Sequence, residues 1–147
     1  MALVENKKAR LEYEVLDTYE AGIELFGHEV KALRAGKASL AGSHVVVRAG
    51  ECYLVGATIS PYQTGNTPKS YEPERTRRLL LNKKELRELD HKASERGLTI
   101  IPLSVYNSRR RLKLGIAIAR KKKKYDKRET LKERSDRRDI DRTLKNK

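Results

Sequence analysis

Three histidines, one cysteine and three closely spaced glutamates are the side chains with which this chain could make or break bonds. His28, His44 and His91 lie far apart on what read as different elements, and Cys52 has no second ligand at metal-binding spacing. His28 and Glu29 are adjacent rather than three or four apart, so on a helix they point to different sides. Neither a glycine-rich phosphate loop nor a nucleophile elbow occurs. Glu20, Glu24 and Glu29 could line an acidic face, but solvent or local Lys and Arg are their ordinary partners. A small RNase built on Glu20, Glu24 or His28 is thereby disfavoured. The expectation is a protein that is not an enzyme and needs no metal or cofactor.

The chemistry that remains is charge. Lys and Arg number 34 against 20 Asp and Glu, a formal net charge of +14. Residues 120–147 hold 14 basic and 6 acidic side chains, a net of +8, which leaves +6 for residues 1–119. Such asymmetry selects a polyanion as partner. No apolar run reaches the roughly 18 residues of a membrane span, so a membrane partner is not expected. A lone Cys52 and the absence of a signal peptide fit a reducing cytoplasm.

Lysines and arginines recognise nucleic acid by neutralising phosphates and releasing counterions. The densest run is Lys121-Lys122-Lys123-Lys124-Tyr125-Asp126-Lys127-Arg128, where a single aromatic suited to stacking on an unpaired base sits among the cations. A nonspecific solubilising run and a specific RNA contact both account for it. Arg75-Thr76-Arg77-Arg78 is a second cluster, readable either as RNA contacts or as arginines snorkelling at a strand edge.

The elements that must position these groups follow from periodicity. Met1 to Lys8 is a polar lead without period, expected to be mobile. Ala9 to Phe26 alternates and predicts two strands broken near Asp17, with Gly22 marking a bulge or a close backbone approach. Gly27 to Leu33 predicts a short helix, and Val45–Arg48 with Cys52–Val55 a hairpin. A long loop spans Ile59 to Arg75. Lys83 to Arg96 predicts a helix capped by Asn82 and stopped by Gly97. Leu98–Tyr106 and Leu112–Ala119 read as strands joined by a polar turn over 107–110.

Six or seven short strands and two helices predict a mainly β domain, a small closed antiparallel barrel over 1–119. Residues 120–147 offer only Tyr125, Leu131, Ile140 and Leu144 as sizeable apolar groups, so a basic tail is expected, disordered when free and helical on binding. From the residues alone the chain is an RNA-binding barrel with a basic extension.

Several stretches in fixed order carry a resemblance: Asn6-Lys7-Lys8-Ala9-Arg10, Glu20-Ala21-Gly22-Ile23, Glu29 to Lys37, Ile59-Ser60-Pro61-Tyr62, Arg75 to Leu81, and Asp126-Lys127-Arg128. In these the chain resembles the SmpB family of SsrA-binding proteins. The resemblance implies an OB-like barrel with flanking helices and a bacterial, cytoplasmic role in trans-translation. The partners it implies are transfer-messenger RNA, through its tRNA-like domain, and the ribosome at its small-subunit decoding centre and mRNA channel. The protein is expected as a monomer in that complex. Family RNA contacts fall here on Asn6, Glu20, Leu80 and Lys113; charge adds Lys7, Lys8, Arg10, Lys31, Arg34, Lys37, Arg75 and Arg77 as RNA-binding candidates. In the tail, Lys122, Lys123, Tyr125, Asp126, Lys127 and Arg128, with Thr143 and Leu144, fall where the family engages the ribosome. Two positions depart from the pattern: Lys121 replaces a common Gly, and Leu11 a common His. The alternative is a ribosomal or general RNA-binding protein with a basic extension.

Overall fold

The computed structural model describes residues 2–63, 65 and 67–122. The tail candidates Lys123, Tyr125, Asp126, Lys127, Arg128, Thr143 and Leu144 lie outside them.

The elements run β1 (Ala2–Glu5), α1 (Lys7–Glu12), β2 (Tyr13–Ile23), α2 (Gly27–Arg34), β3 (Ala38–Ser39), β4 (His44–Arg48), β5 (Glu51–Val55), β6 (Thr58–Ile59), β7 (Arg77–Leu80), α3 (Lys83–Ala93), β8 (Leu98–Ser108) and β9 (Arg111–Lys121). The protein is mainly β, as its alternating runs predict. Seven strands pair antiparallel in the order β1-β8-β4-β5-β7-β2-β9, and a further β8–β9 pairing links the last strand back to β8. Six of them, all but β1, therefore form a closed ring of pairings. β3 and β6 make a separate two-stranded ribbon.

Alternation along β9 builds the interior. Leu112, Leu114, Ile116 and Ile118 point into the main core with Leu54, Leu79, Ile100 and Val105. Burying these branched side chains supplies the hydrophobic drive that closes the ring. On the opposite face of β9, Ala117 and Ala119 are buried too, with Ile101 and Ala9 of α1. Small residues there let the helix sit close on the sheet.

Three expectations change. Residues 2–12 form β1 and α1 instead of a mobile lead, because β1 pairs with Ser104–Tyr106 of β8. The two strands expected over 9–26 are α1 and then one continuous strand, β2. Its register slips between Val15 and Asp17, the place where the alternation predicts a break. β9 offers an unbroken partner across that point, so the extra residue is absorbed as a bulge. Finally, the strand expected to end at Ala119 runs to Lys121, so Arg120 and Lys121 pair with Glu14 and Tyr13 of β2. Lys122 also stays with the folded body, donating its backbone N–H to the Glu12 carbonyl (2.8 Å).

α3 begins where its signals place it but ends at Ala93, three residues before the expected Arg96, with Ser94 as its C-cap. The Asn82 side chain accepts from the Glu85 amide (2.8 Å), and Gly97, with a left-handed φ of +85°, turns the chain into β8. β2 meets β7 only at Gly22 and Ile23, and α3 packs on β4, β8 and β9. Lys92 pairs with Asp17 (2.5 Å), and the Tyr19 hydroxyl donates to Glu88 (3.2 Å).

Candidate nucleic-acid interface

Register places the predicted contacts beside one another. Residues directly opposite in paired strands share a face. Leu80 of β7 lies opposite Gly22, Gly22 opposite Lys113, and Lys113 opposite Tyr106. One step along, Glu20 lies opposite Gly115, and Gly115 opposite Ser104. Four strands thus lay Leu80, Glu20, Lys113 and Tyr106 on one outward face. Leu80 is among the few large apolar side chains left exposed, at 46%.

Two glycines shape the floor. A Cβ on Gly22 would come within 3.2 Å of the Leu80 Cβ, so the absence of a side chain lets β7 and β2 close up. This is the close approach the sequence predicts. A Cβ on Gly115 would meet the Tyr106 ring at 3.5 Å. The Tyr106 hydroxyl reaches past this gap and donates to a Glu20 carboxylate oxygen (2.6 Å). Burial, reinforced by that carboxylate, pushes the Tyr106 phenol up to about 12, so it remains a donor across ordinary pH. Glu20 is held in place by it and keeps acceptor capacity for an incoming amino group or 2′-hydroxyl.

Cations border this platform at both ends. A cleft of about 440 Å³ at one end is lined by Leu25, Val30 and Leu80 with Arg34, Arg110, Arg111 and Lys113. The turn that carries Arg110 is tight: Arg109 and Arg110 both hold positive φ, 49° and 68°. At the other end, β9 carries the same outward face on through Ala117 and Ala119 to α1. The exposed Lys7, Lys8 and Arg10 lie on that helix.

Asn6 has an internal role here. It is only 4% exposed, donates its side-chain amide to the Pro102 carbonyl (2.9 Å) and accepts from the Ala9 amide (3.2 Å). Its backbone N–H bonds the Leu103 carbonyl (2.8 Å). It clamps α1 to the platform, and the basic residues beyond it carry the charge.

Arg77 is a correction. It was expected at the RNA surface, but its side chain is fully buried. Its guanidinium donates to Glu29 from Nε (3.1 Å) and Nη2 (2.7 Å), and also to the Ala57, Arg75 and Pro73 carbonyls. Every N–H group is engaged inside, leaving none for phosphate. Arg75 is partly buried and pairs with the other Glu29 oxygen. The Tyr71 hydroxyl donates to Glu29 as well (2.9 Å). Burial opposes ionisation of Glu29, but bonds from Arg75, the Phe26 amide, Arg77 and Tyr71 outweigh it and hold the carboxyl down to about 2. Glu29 is thus a buried anchor with local Arg partners. Glu24 is likewise paired, with Arg78 (3.4 Å).

Lys31 and Lys37 are exposed away from the platform cleft. The sequence reading missed Tyr106, Arg110 and Arg111. Strand alternation from Lys113 identifies Arg111 as sharing its face, but the reach of Tyr106 to Glu20 is visible only once three strands are in register. Among the described residues no group of three or more His, Cys, Asp or Glu could hold a metal ion, and no helix is long and apolar enough to cross a membrane.

The chain is similar to known proteins over most of its length. A solved structure described as "tmRNA-SmpB: a journey to the center of the bacterial ribosome" is similar at a TM-score of 0.68 and 44% identity, covering 87% of this chain and 93% of that one. An SsrA-binding protein of Chlorobaculum tepidum is 52% identical, over 93% of this chain and 87% of its own length. One of Nostoc punctiforme is 49% identical, over 97% and 92%. The family model for SmpB protein matches residues 3–146, and the chain belongs to that family.

Proposed function

We propose that the chain binds the tRNA-like domain of transfer-messenger RNA on this platform and accompanies that RNA to stalled ribosomes for trans-translation. The observation that carries the reading is convergence. Glu20, Leu80 and Lys113 come from three different strands, yet stand on one face with basic groups at each end. An apolar contact, a held acceptor and phosphate-binding cations are what a folded RNA with exposed base edges requires. The ring of strands is an OB-like barrel in this reading, and Asn6 acts by placing α1. The protein works as a monomer in the cytoplasm, with no catalytic step of its own.

The tail carries the ribosomal half of the task. Tyr125, Asp126, Lys127 and Arg128, preceded by Lys122 and Lys123, enter the vacant decoding centre. The segment with Thr143 and Leu144 becomes helical in the mRNA channel. Its charge of +8 over residues 120–147 supports this, since a polyanionic channel supplies the partner the segment lacks alone.

The test is a salt series of affinities for the tRNA-like domain and for an elongator tRNA, on the full chain and on residues 1–122. The cut follows Lys122 because β9 runs to Lys121. Both proteins should prefer the tRNA-like domain, and Lys113→Ala should weaken it by about five-fold or more. Preference that disappears with the tail would make the tail a generic anion clamp and overturn the reading.

A further inference from the structure

We propose that the flank of α2 turned away from the platform is a second nucleic-acid surface, which stacks the unpaired bases of a single RNA strand. α2 divides two sides. Val30 and Arg34, four residues apart, line the platform cleft, while His28 and Lys31, three apart, lie on the other flank. On that flank aromatic rings and cations occur in pairs. The Arg75 guanidinium stands 4.1 Å from the Phe26 ring centroid. The His28 ring packs 5.6 Å from Phe26 and edge-on to Tyr71 at 4.6 Å. At the far end the Lys37 ammonium lies 5.5 Å from the Tyr62 ring and donates to the Tyr62 carbonyl (3.3 Å).

Packing explains only part of this. Phe26 is the chain's single phenylalanine and leaves 52% of its surface in water, more than any other large apolar residue described. Its cation is also fixed in advance. Arg75 is tied to Glu29 and, through Nη1, to the Thr76 carbonyl (3.4 Å), so the pair is ordered before any ligand arrives. A half-open ring beside a positioned cation offers a base both a stacking face and a neighbour for its phosphate. Duplex RNA hides its base faces, so the ligand class is an unpaired strand. The flank also accounts for Lys31 and Lys37, which the platform does not use.

The test uses the full chain and two probes: a short labelled oligouridine, and the tRNA-like domain. Anisotropy is read at about 0.3 M salt, where the tail's ionic attraction is largely screened. Phe26→Leu and Tyr62→Leu each remove a π face while keeping apolar bulk. Each should weaken oligouridine binding by about five-fold or more and leave the tRNA-like domain within about two-fold. Unchanged oligouridine affinity in both variants would overturn the proposal. Equal loss on both probes would also overturn it, because the flank would then not be a separate surface. Tyr62 makes no hydrogen bond to Glu29, so its variant keeps the test decisive if Phe26→Leu fails to fold.

Discussion

Glu29 ties together elements that core packing alone would not hold in one register. Its two oxygens collect Arg75, Arg77, Tyr71 and the Phe26 amide, drawing α2, the loop before β7 and β7 itself to one buried point. Glu29→Gln would leave the Arg77 charge buried and unpaired, and urea unfolding should show a loss of about 3–5 kcal/mol. The pH dependence has a definite sign. The folded carboxyl sits at about 2 against an ordinary 4.5, so its stabilisation is full above pH 4.5 and is lost as pH falls toward 2. That interval corresponds to on the order of 3 kcal/mol. The acid limb of a stability–pH curve should flatten in Glu29→Gln. Tyr106→Phe probes the other held carboxylate: the fold should persist, while affinity for the tRNA-like domain drops by about three- to ten-fold because Glu20 is no longer oriented. Sequence alone could not separate Arg77 from its neighbours. Arg77-Arg78-Leu79-Leu80 puts one Arg and one Leu on each face whichever way the strand is turned, and only the distant Glu29 decides the phase.

The β8–β9 hairpin turns on two residues that both hold positive φ, a conformation for which Asn and Gly are suited and Arg is not. Two arginines strained there, one of them, Arg110, lining the cleft, exchange stability for charge at the interface. Arg109→Asn with Arg110→Gly should raise the melting midpoint by a few degrees and weaken RNA binding, more so at low salt. Gly22→Ala asks the reverse question of the floor. Its Cβ would press on Leu80 at 3.2 Å, so RNA affinity should fall with little change in the hairpin. Strong local signals made some elements legible: α3 through its Asn82 cap, β8 and β9 through alternation. β1 and α1 were not, because four and six residues are too few to display a period. Their structure comes from β8, about 100 positions away.

At the level of the whole chain, the platform and the tail make separable demands. Replacing Asp126, Lys127 and Arg128 together with Ala should abolish peptide tagging in a reconstituted translation reaction while leaving affinity for the tRNA-like domain within about two-fold. Equal loss of both would contradict that division. The charge asymmetry predicts a body and a tail divided after residue 119, but Arg120 and Lys121, which look like tail, pair as strand. That continuity of β9 has a consequence for synthesis. Every rung of β2 from Tyr13 to Gly22 waits for a partner between Lys113 and Lys121, so loop closure over most of the chain must precede the pairing. A product released before β9 is made would lack Lys113, one of the platform's four strands and the strand that closes the ring. Such a fragment could neither fold nor compete for RNA, so the topology itself withholds binding until translation of the body is complete.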